Sequence, residues 1–240
     1  MEISDIIDSY DGYLLVYNGE LSKLEGTART LLENSLYLSI FTTFELFLKE
    51  IIDIYLNKKV EGGMTFNGLV DDFASEYLKN RERQFNNFFD TTKKDDRIKS
   101  FSNIKEQLNG KIVKEELRNY IRFEFLHKKK LKEYYPSLFE QILGDKDFLS
   151  GISLQFTSDM FHNLENRIEQ NAQDFLSVYT EKIRNSIAHE NSKFYIETDS
   201  FVECVDHFKK ITQKIYDKFV EHNDFTDLQI RTRENQMDLL

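Results

Sequence analysis

From about Glu20 to Lys58 apolar side chains recur every three or four residues, at Leu36, Ile40, Phe44, Phe47, Ile51 and Tyr55. That interval returns each of them to one face of an α-helix. A second row, Leu38, Phe41, Leu48 and Ile52, runs beside the first. The predicted helix is therefore apolar over most of its circumference and belongs at the centre of the fold. Glu45 falls inside the second row. A carboxylate there needs a partner or a proton: either a Lys or Tyr holds it at the rim of the core, or it orients an active-site Arg or His. A longer stripe, Phe161, Leu164, Ile168, Ala172, Phe175, Tyr179, Ile183 and Ile187, predicts one continuous helix from about 158 to 191. Phe201, Val205, Phe208, Ile211, Ile215 and Phe219 predict a last helix over about 199–223, started by a Ser200 and Glu203 capping box.

Between these stripes the pattern is weaker. Residues 65–90 read as one or two helices closing in "RQFNNFFD", "TTKKDDRIKS" reads as an exposed loop, and helices resume near Ile104. "VKEELRNYIRFEFLHKKK" is helical with a basic end, and "YPSLFEQILGDKDFLSG" is a short helix with a connection. Residues of about 60–150 thus elaborate a simpler bundle, and the polar tail of about 224–240 is loosely held. One proline, Pro136, and nine glycines leave little turn chemistry for a sheet. The expectation is a single all-α domain over 1–240, an antiparallel helical bundle with a net-basic middle.

At 240 residues the chain can bury a substantial core without staples. Cys204 is its only cysteine, so there is no internal disulfide framework, and neither CxxC nor HxxxH spacing occurs to bind zinc. No metal or cofactor is expected. The most apolar run, "LYLSIFTTFELFL", is broken by Glu45 and too short to span a bilayer, and the N-terminus is acidic where a signal peptide would be basic. These features point to a cytoplasmic protein. The formal charge of −10 argues against coating nucleic acid by bulk electrostatics. Its distribution says more: residues 1–53 carry three basic and ten acidic side chains, residues 79–133 sixteen and nine, a local balance of +7. That segment is either a solvated helical surface or an anion-binding wall, with Lys128, Lys129 and Lys130 as candidate RNA contacts.

The stripe ending at Ile187 finishes in "EKIRNSIAHEN", residues 181–191. In an α-helix Asn185 and His189 lie about 40° apart, so Asn185 is placed to hydrogen-bond the imidazole and fix its orientation. Arg184 and His189, five apart, diverge by about 140°. Two copies meeting across a two-fold axis remove that difficulty, because the Arg of one and the His of the other can converge. A guanidinium grips phosphate oxygens and an imidazole exchanges protons near neutrality. RNA supplies its own nucleophile, the 2′-hydroxyl. The bland alternative is a Glu181–Arg184 surface pair and a polar helix end. "RFEFLH", Arg122 to His127, has the same interval with an apolar and acidic interior, and is taken as accidental.

"RNSIAHEN" resembles the motif of the HEPN superfamily, in which Arg, a polar residue, three further residues and His lie late in a helical bundle. The similarity covers the helices of "LSIFTTFELFLKEIIDIYL" and "FLSVYTEKIRNSIAHEN" and the one that follows, as in the RiboL-PSP type, and does not extend to residues 60–150. It implies a dimeric, metal-independent endoribonuclease that attacks through the 2′-hydroxyl and leaves a cyclic phosphate. Arg184 would bind the scissile phosphate, His189 would serve proton transfer or phosphate positioning, and Asn185 is the polar residue after the Arg. Asn191 and Glu45 match no fixed position of the family and stand as candidates to orient the others. Such proteins act as toxins or effectors in toxin–antitoxin and antiphage systems, beside a sensor or antitoxin partner. The alternative is a catalytically inactive HEPN-type scaffold or regulatory subunit.

Overall fold

The computed structural model describes residues 3–79, 82–90, 92–121, 131–157, 170–190 and 198–224. Among them every regular element is a helix, and the β pairing consists of two isolated bridges, Thr65 with Lys111 and Ser153 with Asn171. The fold is all-α. The chain forms two compact units, one of residues 1–51 with 147–240 and one of residues 52–146. No described helix is long and apolar enough to cross a membrane.

The first unit starts with a helix that the apolar pattern did not reveal, α1 (Ile3–Glu20), followed by a 3-10 turn, Leu21–Lys23. Ile3, Ile6, Ile7, Tyr10 and Tyr17 are buried on one side of α1. Gly12, Gly19 and the exposed Leu15 and Val16 blur that stripe in the sequence. Consequently the long helix expected from Glu20 begins later, as α2 (Gly26–Tyr55), after Leu24 has taken an extended conformation. Gly26 sits at φ +57, a backbone angle that L side chains rarely adopt. The first expected stripe of α2 is buried throughout, Phe44, Phe47 and Ile51 completely, and Phe41, Leu48 and Ile52 of the second join it.

The segment expected as one helix over 158–191 is not continuous. Asn171 is extended (φ −138, ψ 167), and its side chain accepts from the Asp174 N–H at 2.9 Å. It therefore caps a new helix, α8 (Ala172–Val178), by giving the Asp174 amide in its first turn a partner it would otherwise lack. The start of α8 pairs with the preceding strap, Leu154 N–H with Gln170 O and Ala172 N–H with Ile152 O. Phe161, Leu164 and Ile168 lie outside the described residues. After α8 come a π turn, Tyr179–Arg184, a short helix, α9 (Asn185–Glu190), and a long one; the helices between α2 and α8 belong to the second unit.

That long helix, α10 (Thr198–Asn223), buries Phe201, Val205, Phe208, Ile211, Ile215 and Phe219 completely. It starts before Ser200, which is itself buried in the first turn, and the Glu203 carboxylate accepts from the Thr157 N–H and hydroxyl, both at 3.1 Å. The expected capping box is replaced by a clamp on the 153–157 strap. Phe208 is the hub of the core, with Tyr179 at 4.8 Å, Phe175 at 5.2 Å, Phe44 at 5.5 Å and Phe41 at 6.1 Å between ring centroids. Tyr17 stacks on Phe201 and Tyr10 on Phe208, so α1 runs antiparallel to α10.

The second unit holds α3 (Asp71–Lys79), α4 (Glu82–Asp90), α5 (Lys94–Asn109), α6 (Lys114–Ile121) and α7 (Leu131–Leu143). α5 takes most of the stretch expected as a loop, because Asp95 and Asp96 in its first turn complement the positive end of the helix dipole. Gln141 organises the interior, donating to Tyr55 Oη at 2.7 Å and Gly68 O at 3.0 Å while accepting from the Val70 N–H at 2.7 Å. Lys128, Lys129 and Lys130, with Arg122 and His127, lie outside the described residues.

Candidate functional site

The motif sits where α8 changes gauge. Phe175, Tyr179, Ile183 and Ile187 are all buried, and all are four residues apart. In an α-helix each such step drifts by about 40°, so three of them would carry Ile187 about 120° away from Phe175. The π turn absorbs the drift: the Asn185 N–H reaches back five residues to Thr180 O, and the widened turn keeps one face on the core. Tyr179 anchors it. Its ring stacks at 5.9 Å on Phe41, and its hydroxyl donates to Tyr37 O at 2.8 Å. Complete burial pushes that phenol well above its ordinary pKa, so it remains a neutral donor.

Arg184 closes the π turn and Asn185 opens α9, both half-buried. The guanidinium donates from Nη1 to Asn185 Oδ1 at 3.1 Å. Among the described residues no carboxylate lies within ion-pairing distance of Arg184, and Glu181, its partner in the bland alternative, is exposed without pairing to it. Among the described residues most of the guanidinium's donors are thus uncommitted. The Asn185 oxygen faces Arg184, so this amide positions the cation. His189 lies in α9 one α-helical turn beyond Asn185. Its side chain, like Asn191 as a whole, is outside the described residues. Glu45 is half-buried on α2. A half-buried arginine that no described carboxylate neutralises is suited to hold an oxyanion such as a phosphate.

A second polar cluster escaped the sequence reading. His207 Nε2 lies 3.3 Å from Glu203 Oε1, and the imidazole meets Phe156 and Phe175 edge to face at 5.5 and 5.1 Å. Glu203, His207, Asp206, Lys210, Ser153 and Thr157 border a cavity of about 700 Å³. The available signal was the four-residue interval between Glu203 and His207 on the inward face of α10. The π turn was legible in the same way, as a run of fours. Among the described residues no group of three His, Cys, Asp or Glu side chains is placed to hold a metal ion.

No protein-family model, no curated protein and no solved structure matches this chain.

Proposed function

We propose that the chain is a HEPN-type endoribonuclease that cleaves RNA without a metal ion, acting as a homodimer with a composite site. The observation that carries this reading is Arg184, half-buried, oriented by Asn185 and neutralised by no described carboxylate. Arg184 grips the scissile phosphate and offsets the charge that builds on it in the transition state. The substrate's 2′-oxygen attacks phosphorus, the 5′-oxygen leaves, and a 2′,3′-cyclic phosphate remains. His189 of the second copy moves the proton or positions the phosphate. A cytoplasmic toxin or antiphage effector restrained by a sensor or antitoxin partner is the biological setting that such chemistry fits.

Purified protein incubated with labelled tRNA and mRNA in EDTA tests the reading. The expected result is cleavage with cyclic phosphate ends, abolished by Arg184→Ala and by His189→Ala with folding intact. Cleavage that survives both substitutions removes these residues from the chemistry. Mixing the two inactive variants restores part of the activity if one site draws on both chains.

A further inference from the structure

The α4–α5 hairpin of the second unit exposes aromatic rings to an unusual degree. Phe89 is 75% exposed, and Ile98 and Phe101 are each 54% exposed. They are organised rather than scattered. Phe88, half-buried, touches Phe89 edge to face at 5.1 Å and Phe101 at 6.0 Å, so α4 and α5 present their rings as one platform.

The charges of α5 are sorted around it. At about 100° per residue, Lys94, Ile98, Phe101 and Lys105 fall within about 60° of one another and Arg97 borders them. Asp95, Asp96 and Glu106 are turned about 90° or more from the middle of that stripe. Lys94, Arg97 and Lys105 are all exposed, and among the described residues none of them is in an ion pair. From Lys94 to Lys105 the stripe rises about 16 Å. Asp90 ends α4 beside the turn, and Asp95 and Asp96 follow Lys93 and Lys94 there but point away from the stripe.

Flat rings interleaved with unpaired cations along a shallow face are what a single-stranded nucleic acid requires, bases stacking on the rings while phosphates meet the cations. An anionic membrane would favour a broader apolar face than these three side chains supply. We propose that the α4–α5 face binds single-stranded RNA through Phe89 and Phe101, with Lys94, Arg97 and Lys105 on the backbone. This rests on the ribonuclease reading for its choice of RNA, and it adds a substrate-holding surface separate from Arg184.

The test uses the full chain and a fluorescein-labelled 2′-O-methyl oligouridylate, which cannot be cleaved through a 2′-hydroxyl, read by anisotropy. Phe89→Ala with Phe101→Ala weakens binding about tenfold or more. Lys94→Glu with Lys105→Glu weakens it and lowers the slope of log affinity against log salt by about 0.7 for each phosphate that no longer meets a cation. Lys99→Glu, the same charge change on the far side of α5, has little effect. Binding unchanged in the double Phe variant, or weakened equally by Lys99→Glu, overturns the proposal. So does a loss confined to phosphatidylserine vesicles, which would make the face a membrane contact. Cleavage of unmodified RNA is scored separately. Protein that binds through this face yet never cleaves sinks the ribonuclease reading alone, and protein that cleaves while the face variants bind normally sinks this one alone.

Discussion

Arg118 on α6 and Arg184 at the end of the π turn are both partly buried cations, and their surroundings differ completely. Arg118 meets Asp53 through two contacts of 2.9 Å and lies 3.6 Å from Glu115. Among the described residues Arg184 meets one neutral amide oxygen, at 3.1 Å. A guanidinium forked onto a carboxylate is committed to holding two helices together, with its charge answered inside the protein. One oriented by an amide keeps its charge for something else. The contrast separates a structural arginine from an available one without reference to any relative.

Exchanging the roles of these two residues gives the sharpest tests. Arg184→Ala is expected to lower RNA cleavage by about 10²–10³-fold, the usual cost of removing one oxyanion-stabilising group. Its thermal unfolding should match the parent. Arg118→Ala should do the reverse, leaving cleavage intact while the loss of the Arg118–Asp53 bonds costs about 1.5–3 kcal/mol in denaturant titration. Asn185→Asp brings the comparison to a single atom, since it gives Arg184 a carboxylate of its own. Cleavage should fall roughly tenfold as that carboxylate competes with phosphate, while stability shifts by less than about 1 kcal/mol. Full activity in Asn185→Asp would mean that the charge of Arg184 is not being reserved.

A smaller effect separates the neutral polar groups. Burial raises the phenols of Tyr10, Tyr37 and Tyr179, and also Tyr55, where the Gln141 hydrogen bond works in the opposite direction. A phenol that ionises more readily unfolded than folded contributes stability that is complete below its unfolded value, about 10, and lost as pH rises beyond it. Unfolding followed by far-UV circular dichroism should therefore be insensitive to these groups up to about pH 9 and steepen above pH 10. Tyr179→Phe should flatten that limb while costing about 1 kcal/mol at neutral pH for the missing bond to Tyr37.

The buried faces of α2, α8 and α10 could be read from the chain because side chains at intervals of three and four have one physical meaning, and Phe44, Phe175 and Phe208 all lie where it puts them. Periodicity does not reveal where a helix stops. Asn171 breaks the expected 158–191 helix through a side-chain bond to a backbone three residues on, and nothing in the apolar rhythm announces it. Glu203 misled for the same reason. Its spacing from Ser200 fits a capping box, yet its carboxylate accepts from Thr157, brought to it by the tertiary fold. At the candidate site the residue types were legible, and what was not was that no described carboxylate pairs with Arg184, since Glu181 stands three residues away and has the spacing of an ion pair.

The widened turn at Tyr179–Arg184 also divides the labour between inside and outside. With Tyr179, Ile183 and Ile187 pinned at steps of four, Glu181 and Lys182 are exposed and can be exchanged, or one of them removed, without touching a packed ring. Loss of a single residue there would rewind the backbone and swing the guanidinium sideways while leaving the hydrophobic interior assembled. The aim of the cation is therefore tunable by natural variation at exposed positions outside the packed core.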